Sequence, residues 1–222
     1  MFSIEAWNET KSKISEAAKK AGRQADDVNL VAVSKTKPVE DIETALAQGQ
    51  LCFGENRVQE ALQKFPPLRV SRSDLELHLI GPLQTNKVKE VVANFDVIQT
   101  VDRPKLVKAL AKEMAKQNRQ LSCFIQVNTG DEEQKAGVSL EELPMLFDLC
   151  QEQKLTIVGL MCIPPVDDHP GPHFSLLHKW ADRLSLKSLS MGMSADFEIA
   201  VELGATHVRV GSALFGSRPP LK

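Results

Sequence analysis

The chain has 222 residues and a formal net charge of −2, from 27 Lys plus Arg against 29 Asp plus Glu. That balance excludes the strong single-sign field of a nucleic-acid or anionic-membrane binder, and 42% hydrophobic with 25% charged residues is the make-up of a soluble globular protein with a sizeable core. There is no tyrosine at all, so no phenol of this chain serves as acid, base or nucleophile.

In chain order, 3–21 reads as a helix stopped by Gly22. It lacks the apolar centre of a signal peptide, and no apolar run anywhere approaches the roughly 18 residues that span a bilayer. Eight short apolar runs follow, at 30–34, 51–54, 75–81, 97–101, 123–128, 157–163, 189–193 and 207–211, most of them rich enough in Val, Ile and Leu to be strands buried on both faces. Helix signals lie between them. Pro38 fits a first helical position and Gly49 a stop. Leu106, Leu110 and Met114 share one face of a helix over 104–117. Ser139 and Glu142 form a capping box before Cys150. The stretch 164–172, with four prolines and His169, reads as a loop. Ser194 is placed to cap a helix over 195–203 that ends at Gly204, and 212–215 is a short helical turn.

Strand–helix alternation repeated eight times predicts a parallel α/β fold, and eight units in this length fit a small (β/α)8 barrel forming one domain over 1–222. A doubly wound sheet would need a glycine-rich turn after the first strand, and Ser34-Lys35-Thr36-Lys37-Pro38 has none. The cysteines Cys52, Cys123, Cys150 and Cys162 form no CxxC pair, which suits reduced thiols in a cytoplasmic protein.

A barrel carries its site at the C-terminal ends of its strands. Period-two alternation sets Val31, Val33 and Lys35 on one face, so with the valines pointing inward Lys35 rises into the mouth, where a partly desolvated amine can condense with a carbonyl as a Schiff base. The plainer alternative is a solvated lysine like Lys37. Ser194, Gly211 and Ser212 fall at the ends of strands seven and eight, the usual place for a barrel phosphate, and otherwise serve as a cap and a turn. Arg209 alternates with Val208 and Val210 and therefore faces inward, where it needs a partner: a carboxylate such as Glu55, or a ligand. His78 reads first as a satisfied core histidine. Asn56 and Asn128 either meet a ligand or cap their own loops. His169, His173 and His178 lack the ligand spacing of a metal site, and no GxSxG elbow is present, so neither a metal nor a serine nucleophile is expected.

The stretches VAVSKTKP, FGENRVQE, LHLIGPLQTNK, VNTGDEEQKAG, GLMCIPP and LSMGMSADFEIAVELGATHVRVGSALFG resemble the pyridoxal phosphate homeostasis protein family from Leu30 to Arg218. The resemblance implies the barrel of an alanine racemase N-terminal domain without a second domain. It implies bound pyridoxal 5′-phosphate (PLP) as an internal aldimine on Lys35, Arg209 facing the ring nitrogen, Ser194, Gly211 and Ser212 on the phosphate, and Asn56 beside the cofactor. Where the family often has Trp-His, this chain has Leu77-His78. The implied function is intracellular PLP (vitamin B6) homeostasis in a cytoplasmic monomer, with no catalytic residue and with transient contacts to apo-PLP enzymes or regulators. An amino-acid racemase of related fold is the first alternative, and its catalytic tyrosine is missing here. A cofactor-free Schiff-base aldolase is the second.

Overall fold

The structure, a computed structural model, describes residues 1–132 and 134–216. Arg218, at the end of the family-like motifs, lies outside the described residues.

Eight parallel strands close into one barrel in sequential order. They are β1 (Asn29–Val33), β2 (Cys52–Glu55), β3 (Glu76–Leu79), β4 (Val97–Val101), β5 (Ser122–Val127), β6 (Thr156–Cys162), β7 (Ser188–Ser190) and β8 (His207–Val210). Pairing of β8 back onto β1, with Val31 opposite Arg209, closes the sheet and disposes of the open doubly wound alternative. Each predicted strand is present, shifted by at most one residue at its start. The reason is burial on both faces: β4 and the later part of β6 carry no exposed residue, so these segments are apolar but for Gln99 and Thr100 of β4.

Nine helices surround the sheet: α1 (Ile4–Lys20), α2 (Val39–Ala47), α3 (Val58–Ser71), α4 (Val88–Asn94), α5 (Pro104–Gln117), α6 (Leu143–Glu152), α7 (Pro170–Arg183), α8 (Phe197–Glu202) and α9 (Ser212–Phe215) among the described residues. Ser3 caps α1 by accepting the Ala6 N–H at 3.1 Å. That helix buries Trp7, Ile14, Ala17 and Ala18 and packs on α8 and α9. Its start is tied to α2, because the Phe2 N–H donates to Asp41 Oδ1 at 3.1 Å. No helix among the described residues is long and apolar enough to cross a membrane.

Three local expectations fail for identifiable reasons. α7 begins at Pro170, inside the segment read as a loop, with His169 as N-cap. Prolines in a first turn cost little there, since those N–H groups have no intrahelical acceptor. Only half of the Ser139–Glu142 box forms: the Glu142 N–H donates to Ser139 Oγ at 3.2 Å, but the Glu142 carboxylate accepts from the Ser139 hydroxyl at 3.1 Å, and the pair closes a turn that precedes α6. Ser194 does not cap a helix. Asp196 is the N-cap residue of α8, and its Oδ1 takes the Met193 N–H at 2.6 Å.

The core has two parts. The larger lies between barrel and helices and includes Leu30, Ala32, Phe53, Leu77 and Leu79. Inside the barrel, Val97, Phe124 and Met161 form a separate small cluster. The rest of the interior holds a polar column. Arg209 donates to Ser190 Oγ at 2.7 Å, Ser190 donates to Gln99 Oε1 at 2.6 Å, and Gln99 Nε2 lies 2.8 Å from His78 Nδ1. β4 and β7 are not neighbours in the sheet, so the Ser190–Gln99 bond crosses the barrel.

Candidate functional site

The upper mouth, at the C-terminal strand ends, contains a cleft of about 330 Å³, and Lys35, Asn56, Ser194, Arg209, Gly211 and Ser212 all line it. Its remaining walls include Val33, Ile80, Ile163 and Met193. Among the lining residues the charged side chains are Lys35, Lys37 and Arg209, all cationic. A concave site of one sign draws in ligands of the other.

Lys35 reaches the mouth because β1 alternates as expected: Leu30 and Ala32 belong to the helix-facing core, while Val31 lies against Gly54 inside the barrel. Just past the strand the chain turns sharply. Thr36 has φ of +64°, the left-handed region that a β-branched residue rarely enters. The turn is held by the Lys37 N–H on Ser34 O at 3.1 Å and by a bond from the Thr36 N–H to Glu60. Behind it lies a buried ionic cluster. Lys64 Nζ sits 2.5 Å from Glu55 Oε1, 2.8 Å from Glu60 Oε1 and 3.0 Å from Ser34 O, and Ser34 Oγ donates to Glu55 Oε1 at 2.7 Å. Burial pushes the Glu55 carboxyl up, against the opposing pull of Lys64 and Ser34. The backbone carrying Lys35 is thus clamped from the helix side.

That cluster also corrects the partner expected for Arg209. Glu55 follows inward-facing Gly54 and so points outward beneath α3. Arg209, only 4% exposed, donates instead to Ser190 Oγ and to Cys162 O, the latter at 2.8 Å. Burial lowers its affinity for the proton, but an arginine keeps its charge, and two of its five N–H groups are accounted for by these bonds.

On the opposite side, the Gly211 N–H donates to Ser194 Oγ at 3.4 Å, linking the ends of β7 and β8. The first amides of α9 have no acceptor within their own helix and lie at the same rim. Lys37, read from sequence as merely solvated, lines the cleft and donates to Phe215 O at 2.7 Å and Gly216 O at 3.1 Å. It fastens the end of α9 to the loop that carries Lys35. No alternation signal could have found it, because the Thr36 turn breaks the strand period.

Asn56 completes the cleft. Its Oδ1 is buried and has no hydrogen-bond partner among the described residues. Its backbone lies against Gly81, where a Cβ would overlap the Asn56 carbonyl. Asn128 is accounted for otherwise: it bonds Glu132 O at 2.9 Å and caps its own loop. His78 sits deep in the column and does not line the cleft. No cysteine lines it either, and burial pushes the Cys150 and Cys162 thiols up to about 12, which leaves them inert.

A family model described as alanine racemase, N-terminal domain, matches residues 9–219. A pyridoxal phosphate homeostasis protein of Aquifex aeolicus (strain VF5) is 41% identical over 98% of this chain and 99% of its own length. The chain belongs to the pyridoxal phosphate homeostasis protein family. Within the solved structures, PipY of Synechococcus elongatus PCC7942, a structure with PLP bound, is 37% identical with a TM-score of 0.78, covering 91% of this chain and 100% of that one. An alanine racemase of Clostridium difficile 630 shares the fold alone, at 14% identity and a TM-score of 0.70, and 57% of that longer chain is covered. The barrel of this homeostasis-family chain therefore has the fold of the racemase barrel.

Proposed function

We propose that this chain holds PLP in the upper cleft for intracellular vitamin B6 homeostasis and turns over no amino acid. The observation that carries the reading is the convergence of all six named residues on one cleft whose charged side chains, among the described residues, are three cations. The PLP bound to PipY, a relative that covers most of this chain, supports it.

The residues fit the group. Lys35 is the attachment point: its amine condenses with the cofactor aldehyde and water leaves. Ser194, Ser212 and the amides around Gly211 take the phosphate, with Lys37 fixing their backbone. Asn56 Oδ1, buried without a partner, accepts a hydrogen bond from the ligand. Arg209 faces the ring nitrogen. Bound PLP supplies an electron sink for carbanion chemistry. Arg209 restrains that capacity, since it donates to the ring nitrogen and gives up no proton. The absence of tyrosine removes the phenol that a two-base racemase would use. A carrier is the function that these residues serve best, acting as a single-domain cytoplasmic monomer that meets apo-PLP enzymes or regulators transiently. Four free cysteines suit that compartment.

Absorbance with and without borohydride tests the reading. The purified protein is expected to be yellow, and reduction should fix PLP to the peptide carrying Lys35. Lys35→Ala should lose both the visible band and the modified peptide. A protein that stays colourless when PLP is added overturns the assignment. L-alanine converted to D-alanine above background, with PLP saturating, overturns the carrier function and restores the racemase.

A further inference from the structure

The opposite end of the barrel presents a second set of chemistry-bearing side chains. β2 and β3 pair with Cys52 opposite Glu76 and Gly54 opposite His78, so Cys52, Glu76 and His78 share the inward face of two adjacent strands. Their ligand atoms all lie within 4.8 Å of one another. Cys52 Sγ and Glu76 Oε1 are each 3.3 Å from the same atom, His78 Nε2. One ring N–H cannot serve two acceptors well, and the 3.3 Å to the Glu76 oxygen is longer than a good hydrogen bond.

We propose that Cys52, Glu76 and His78 form a Zn²⁺ site at the lower mouth of the barrel. Two of the three ligand spacings, those to His78 Nε2, match the ion. Tetrahedral zinc, with bonds of about 2.3 Å to sulfur and about 2.0–2.1 Å to nitrogen or oxygen, sets S and N about 3.5 Å apart and N and O about 3.3 Å apart. One thiolate, one imidazole and one carboxylate are a ligand set suited to zinc and poorly suited to magnesium or calcium. Three protein ligands leave the fourth position to water. The ion has a way in, because the Glu76 side chain is 51% exposed and Cys52 lines a surface cleft of about 290 Å³ beside α1. Binding forms the Zn–S bond and releases the Cys52 proton to water. His78 is supported from behind as metal-bound histidines usually are: with Nε2 on the ion its Nδ1 carries hydrogen, and Gln99, 2.8 Å away, accepts it by turning its amide.

This site is independent of PLP, and its test is run on both the wild-type protein and Lys35→Ala. Each is equilibrated with Zn²⁺, desalted and analysed for metal, and then loaded with Co²⁺ for its absorbance spectrum. One zinc per chain should be retained in both, and the cobalt form should show a thiolate charge-transfer band. Cys52→Ser should abolish that band, and Cys52→Ser and Glu76→Gln should each weaken zinc binding by about tenfold or more. Glu76 is half exposed, so its variant keeps the fold should the buried positions not tolerate change. Failure to retain zinc, or retention undiminished in Cys52→Ser and Glu76→Gln, or a cobalt spectrum without a thiolate band, overturns the site.

Discussion

At the upper mouth Lys35, Lys37 and Arg209 are the charged side chains among the described residues that line an open cleft, whereas at the lower mouth a thiol, a carboxylate and an imidazole crowd within 4.8 Å. The first arrangement is cationic, spread over several loops and sized for an organic anion. The second is compact, set on two paired strands and sized for one cation. The polar column Arg209–Ser190–Gln99–His78 runs between them through the barrel. On the two proposals, the difference is how one scaffold separates two tasks. Loops after the strands can spread wide enough to surround a cofactor, while side chains on adjacent strands are held at the spacing of a coordination shell.

The largest effect expected concerns what holds the upper mouth in shape. Lys64→Ala leaves the Glu55 carboxylate fully buried without its counter-ion, and the expected loss is about 3–5 kcal/mol in urea unfolding. The same change should loosen the Thr36 turn and weaken PLP retention. Lys64→Met combined with Glu55→Gln should recover most of the stability, because no buried charge is then unpaired. A loss below about 1 kcal/mol for Lys64→Ala would mean that the turn stands without the cluster.

How much of this could be read from the residues depends on how local the determining interaction is. The eight strands were legible because their apolar runs carry the signal themselves. Lys35 and Arg209 were legible because period-two alternation points a side chain without knowledge of its neighbours. α3 was not among the helices read from the sequence; it holds Pro66 and Pro67 in its interior, and burial of Phe65 and Leu68 on either side carries the helix through. Ser194 was located but misassigned, since its acceptor role needs Gly211 of the next strand. The Glu55–Lys64 pair, Lys37 on the end of α9, and the meeting of Cys52 with His78 all join residues that only the closed barrel brings together.

The next effect in size tests the link between the mouths. Gln99→Leu removes the acceptor of Ser190 and the partner of His78 Nδ1, both buried, and should cost roughly 2–4 kcal/mol. Zinc affinity should fall with it if Gln99 supports His78, while Lys35 should still attach PLP. A variant that loses stability but keeps full zinc affinity would separate the column from the lower site.

The smallest effect on stability is expected at Asn56, and its smallness is the point. A polar atom paired within the protein costs free energy to remove, but Asn56 Oδ1 is buried without a partner, so the free protein already bears its desolvation cost. Asn56→Ala should therefore change urea unfolding of the PLP-free protein by less than about 0.5 kcal/mol, or even stabilise it, while weakening PLP retention about tenfold. The contrast with Lys64 and Gln99 is diagnostic. Those side chains are satisfied by the fold and their loss is read in stability, whereas Asn56, on the proposed function, is satisfied by a ligand and its loss is read in binding. A destabilisation at Asn56 as large as that at Gln99, with PLP retention unchanged, would make Asn56 part of the scaffold and leave the cleft without the one neutral side-chain acceptor that awaits a partner among its described residues.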